Sequence, residues 1–268
     1  MSIYVHPPEQ PLSYQVEIRS FDRMAEIPEN VLRYKSVIAF KKITFNGCVL
    51  NIKRSEISLN NQIDQDPYIE ILLITAKVLD DLDIEVSLFG NILRILNMKA
   101  IRNQWKEICY RIEHTYTGDF VESLMQGMSQ IVADDDLFIQ SLYRDAFLGY
   151  YFQLIFGEYG RNGIMSKEIP IYGFFDHSPV KVHMQAVFKE EKETIAVKMN
   201  LSESDEQLLC AEMEKKFVEK GNLQTEMNAI FTIFAEQGYI NSIHLILSAE
   251  WNGQTVKKMQ VEVEKLNL

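Results

Sequence analysis

Two of the three Asn-Gly pairs, Asn46-Gly47 and Asn252-Gly253, constrain this chain more than any other local feature. The first separates β-rich runs over residues 35–45 and 49–59, the second separates 239–251 from 255–266. Asn-Gly supplies the two positive-φ positions of a type I′ turn, whose twist matches that of paired strands. Antiparallel hairpins are therefore expected near both ends of the chain. Further strands follow from alternation of apolar and polar side chains. They fall at 14–19, in a hairpin over 82–96 turning at Gly90-Asn91, at 167–175, 180–188 and 194–201, and at 226–235, which turns at Gln237-Gly238.

Helical periodicity interrupts this pattern in a few places. Asp66-Pro67 reads as an N-cap with proline in the first turn, opening a helix over 68–79 with Ile71, Leu72, Thr75, Val78 and Leu79 on one side. Between 98 and 156 a three-helix block is expected. Ile101, Trp105, Ile108 and Ile112 mark the first helix, and Val121, Leu124, Met125 and Met128 the second after Gly118-Asp119. Leu137, Leu142 and Phe147 belong to a third, capped by Asp134-Asp135-Asp136 at the positive end of its dipole. Ser202 with Glu203, Asp205 and Glu206 caps another helix, stopped near Lys220 by Gly221-Asn222.

These elements predict an α+β protein with two antiparallel β regions and an inserted three-helix block. Its parts are an extended arm over 1–12 with Pro7, Pro8 and Pro11, a first unit over 13–157, and a C-terminal antiparallel region with one helix over 164–268. Gly157, Gly160 and Gly163 punctuate the junction. The two halves share an order of β runs, one helix and a hairpin whose second strand leaves a glycine. Divergent duplication and one continuous sheet both fit that order.

Composition narrows the function classes. With 47% hydrophobic residues the chain can bury a core, and disorder is excluded. Its 27 Lys and Arg against 38 Asp and Glu give a net charge of −11, a poor match for nucleic-acid phosphates. No run approaches the roughly 20 apolar residues of a membrane span. The first residues lack a basic then apolar leader, and Cys48, Cys109 and Cys210 are widely spaced, so a cytoplasmic location is expected.

Chemical motifs are sparse. The three glycines after residue 156 follow a helix rather than open one, which does not form a phosphate cradle. His177 and His183 with Asp176 have metal-ligand chemistry, but Ser178-Pro179 breaks the strand between them, so no metal and no cofactor are expected. His244 reads as a polar-face strand residue. The clusters Asp80-Asp81-Asp83 and Asp134-Asp135-Asp136 sit at element boundaries, where aspartate caps and turns. Cys109 and Cys210 lie among apolar neighbours and read as small core residues. The acids between Glu203 and Glu219, balanced by Lys215, Lys216 and Lys220, read as a solvated helix face.

What stands out is aromatic density. Tyr143, Phe147, Tyr150, Tyr151, Tyr159 and Tyr172 form the candidate partner or ligand surface, within a longer run of Phe and Tyr. Tyrosine favours interfaces because its ring is apolar and its hydroxyl prefers a wet edge. The reading is a non-enzymatic binding or adaptor protein, such as a chaperone, an immunity partner or an accessory subunit, acting through a protein partner. Its alternative is a carrier of an apolar or lipid-like small molecule between sheet and helices. Long strands with a helix laid across them resemble, in layout alone, the half-barrel lipoprotein carriers of bacterial envelopes. A cavity behind the strands would favour the carrier, and a flat aromatic patch the adaptor.

Overall fold

The computed structural model describes residues 2–22, 27–60, 66–175, 179–234 and 239–266. Eleven strands form one antiparallel sheet. The first five are β2 (Leu12–Asp22), β3 (Asn30–Ile43), β4 (Gly47–Leu59), β5 (Asp81–Ser87) and β6 (Ile92–Ile95). The other six are β8 (Ile164–Ile171), β9 (Val180–Lys189), β10 (Thr194–Leu201), β11 (Leu223–Phe234), β12 (Tyr239–Trp251) and β13 (Gln254–Lys265). Their spatial order is β6-β5-β4-β3-β2-β13-β12-β11-β10-β9-β8. The two β regions are thus one continuous sheet, joined where β2 pairs with β13 from Tyr14↔Lys265 to Asp22↔Lys257. Two short strands, β1 (Ser2–Ile3) and β7 (Gly157–Glu158), pair separately.

One face of this sheet is apolar across every strand. Tyr14 and Val16 on β2, Ile38 on β3, Ile52 and Leu50 on β4, and Ile84 on β5 carry it through the first half. In the second half it continues through Val263, Leu245, Phe231, Val197 and Ala186. The opposite face is polar, with pairs such as Arg33–Glu17 at 2.5 Å, Lys35–Glu56 at 2.7 Å and His244–Glu262 at 3.8 Å. Pairs as open to water as Lys35–Glu56 and His244–Glu262 add little stability; they keep that face in water.

Because β6 and β8 are the two edges, the connecting chain must cross the apolar face. It does so through α2 (Met98–Thr115), α3 (Asp119–Ala133), α4 (Asp135–Arg144) and α5 (Leu148–Gln153). The block therefore has four helices where three are expected. Asp145 causes the extra break: its carboxylate accepts from the Phe147 and Leu148 amides and starts a new helix. The remaining helices are α1 (Pro67–Ala76), capped by Asp66, which ends in a 3₁₀ turn over Lys77–Leu79, and α6 (Glu203–Phe217), capped by Ser202. The alternating pattern places β8 at 164–171 rather than 167–175, with Pro170 tolerated because β8 is an edge strand.

The sheet must curl. The Phe156 ring packs against Gly90 in the β5–β6 turn, while the next residue, Gly157, lies against Met165 of β8. In a flat sheet β5 and β8 would stand nine strand intervals apart, roughly 43 Å at about 4.8 Å each. Adjacent residues reach both only if the apolar face is the inside of a partial barrel. At that end the N-terminal arm laces the gap: Val5 N–H donates to the Leu88 carbonyl at 2.9 Å, and β1 pairs with β7.

Candidate binding groove

Inside the curl lies the aromatic segment. Phe147, Tyr150, Tyr151 and Tyr159 are all buried. Phe147 and Tyr151 flank Tyr14 of β2 with ring centroids 5.8 and 5.7 Å away. The Tyr14 hydroxyl donates to the Ile240 carbonyl at 2.8 Å and lies 3.2 Å from the Tyr151 hydroxyl. Burial pushes the Tyr151 hydroxyl up to about 12. Tyr159 donates to the Ile155 carbonyl. Tyr143 and Tyr172 sit at the margin, half-buried and stacked 6.2 Å apart, with the Ile92 amide donating to the Tyr143 hydroxyl. The six aromatic residues thus divide into four that fill the interior and two that close its edge.

The remaining sequence candidates have structural partners. Asn51 donates to Asp81 and Asp83 at 2.7 and 2.8 Å, and Asp134 caps α4. His183 lies 3.8 Å from Glu168, while Asp176 and His177 fall outside the described residues. Among the described residues no group of three or more His, Cys, Asp or Glu side chains could hold a metal ion. Cys48 is buried, and desolvation pushes its thiol up to about 11. The charged groups that face inward fall in two separate places, on β4 and on β8. Arg54 on β4 pairs with Asp145 at 2.9 Å; Lys167 on β8 donates to the Phe156 carbonyl, and burial lowers its amine to about 8.

A groove of about 670 Å³ opens elsewhere, between α6 and the centre of the sheet. Phe21, Phe175, Leu209, Met213, Phe217 and Val256 form its apolar walls. Glu29, Glu212, Lys215 and Lys216 are exposed at its rim, and Lys257 joins them. It lies at the end of the sheet opposite the N-terminal arm, where β2 ends and β13 begins. The volume is within the range of about 300–1,000 Å³ typical of small-molecule sites.

The groove exists because α6 bridges it without filling it. Of fifteen residues in α6 only Leu209 is fully buried, whereas α2 buries five of eighteen. Both ends of α6 are pinned. At the start, Ser202 Oγ accepts from the Asp205 amide, and Asp205 accepts from the Lys181 amide at 2.9 Å. At the other end, Phe217 stacks on Trp251 with centroids 6.4 Å apart, and just past it Asn252 donates to Glu219. The buried Trp251 indole N–H has no hydrogen-bond partner among the described residues. The helix ends at Val218, left-handed at φ 56°, rather than at Gly221. Gly221 serves packing instead: a Cβ there would lie 2.4 Å from the Trp251 ring.

Leu209, Met213 and Phe217 recur every four residues, an apolar stripe on one helix face. That spacing is the signal for the groove, and the surrounding acids hide it in a reading by charge.

The fold is similar to that of lipovitellin. One matching solved structure, described as "Lipid-protein interactions in lipovitellin", is 12% identical with a TM-score of 0.51. The match covers 98% of this chain and 26% of that one, so the chain spans about a quarter of the length of that relative. No family model matches the chain, and no curated protein matches it.

Proposed function

We propose that the chain binds an apolar or amphipathic small molecule in the groove beneath α6, as a carrier rather than a catalyst. The supporting observation is a groove of about 670 Å³ with mainly apolar walls, under the C-terminal half of a helix that is pinned at its ends and buries one residue fully. Of the aromatic residues that motivate a protein-docking reading, four are buried inside the curl and two are stacked and half-buried at its edge, so they do not form a flat exposed docking patch. A fold neighbour described by its lipid–protein interactions agrees with this class of ligand.

The test is titration of the intact chain with a fluorescent long-chain amphiphile. Saturable binding is expected in the parent and in Met213→Leu, which keeps the wall apolar. Met213→Arg, which puts a charge on a half-exposed wall, weakens binding at least about tenfold because a desolvated charge near the ligand is costly. Equal binding in all three would contradict the proposal.

A further inference from the structure

The end of the sheet away from the groove carries a second feature. The β3–β4 turn presents Ile43, 74% exposed, and Phe45, fully exposed. The β5–β6 turn beside it presents Leu88 and Phe89, with Tyr4 of the arm edge-on to Phe89 at 5.6 Å. The turns are neighbours because Gly47 pairs with Ser87. Residues 40–48 and 87–94 contain Lys41, Lys42 and Arg94 but no Asp or Glu, in a chain of net charge −11. Between the turns is a depression of about 590 Å³ lined by Asn46, Glu85, Ser87, Leu93 and Arg94. Arg94 reaches it from an exposed position and pairs with Glu85, whose carboxyl the Thr44 hydroxyl and Arg94 hold below its ordinary value. Lys41 pairs with Asp83 at 2.6 Å on the polar face.

We infer that this end docks on an anionic lipid bilayer, with Ile43, Phe45, Leu88 and Phe89 entering the interface and Lys42 and Arg94 meeting phosphates. Aromatic and aliphatic side chains on protruding turns gain by leaving water at the headgroup level. An acidic chain is repelled by an anionic leaflet, so it approaches through surface poor in exposed carboxylates; the two turns themselves carry none, and Glu85 between them is 2% exposed and paired with Arg94. A second copy of the chain is a poorer occupant. Four side chains on two narrow turns offer far less than the roughly 800 Å² per partner that a standard interface buries.

The experiment uses the full chain with vesicles of phosphatidylcholine alone and of phosphatidylcholine with phosphatidylserine. Co-sedimentation with the anionic vesicles is expected, and Ile43→Ser/Phe45→Ser weakens it at least about tenfold, the value of removing two inserted apolar groups. Phe45→Trp gives a blue-shifted emission with anionic vesicles. Both substitutions lie at exposed turn positions, so the fold tolerates them. The inference is overturned by no binding to either vesicle, by equal binding to both, or by equal binding of the double variant. A blue shift that grows with protein concentration without vesicles would overturn it in favour of self-association.

Discussion

At the scale of single residues, the arrangement to explain is Arg54 with Asp145. Their side chains are 6% and 11% exposed, 2.9 Å apart, and the guanidinium lies 5.1 Å from the centroid of the Tyr34 ring. Removing one partner of a buried pair strands the other charge, which costs about 3–5 kcal/mol. Asp145→Asn is therefore expected to lower the urea midpoint by that equivalent, and it also weakens the cap of α5. Asp80, nearby, behaves differently: burial pushes its carboxyl up to about 6, against the pull of Arg54 and Lys77. A carboxyl whose folded value exceeds the unfolded value of about 3.9 binds its proton more tightly when folded. Stability attached to it is present at low pH and lost as pH rises from about 4 through about 6. Asp80→Asn should then stabilise the protein at pH 7 and leave it unchanged near pH 4, in thermal melts at both values. None of this is legible in the sequence, because Arg54, Asp80 and Asp145 meet only after the chain crosses the sheet. The cap residues Asp66, Asp134 and Ser202 are legible, since each acts on amides two or three positions away.

At the scale of elements, local signals succeed where the interaction is local. Asn252 and Gly253 have φ of 53° and 77°, the two positive values a type I′ turn needs. Asn46-Gly47 also lies at a hairpin, but there Thr44 bonds back to Gly47 and the loop is longer than two residues. Gly47 is needed for close approach to β5, since a Cβ there would lie 1.9 Å from the Val86 carbonyl. The start of α6 follows from Ser202, whereas its end does not, because Gly221 answers to Trp251 rather than to the helix. The sparse burial of α6 over the groove has a dynamic consequence. A helix with one fully buried residue opens locally at lower cost than strands packed on both neighbours. Amide hydrogens of residues 209–217 should exchange well before those of β11 and β12, by mass spectrometry after proteolysis. Equal protection would contradict the loose seating of α6 over the groove.

At the scale of the whole molecule, the seam between β2 and β13 decides the architecture. The alternation that identifies each strand says nothing about which strands meet, so the sequence leaves a duplication and a continuous sheet equally open. The seam makes the halves share one sheet and one interior, which the 98–156 segment fills from edge to edge. Unfolding in urea is therefore expected as one transition, coincident by far- and near-ultraviolet dichroism; two separated transitions would show the halves to be independent. The central claim, a ligand under α6, is tested most directly through Trp251, which stacks on the groove residue Phe217. In a Trp105→Phe background, Trp251 is the remaining tryptophan. Titration with an amphiphile brominated along its acyl chain should quench Trp251 in a saturable, one-site manner, because bromine must come close to the indole. Quenching that is absent, or that rises linearly without saturation, would contradict the account.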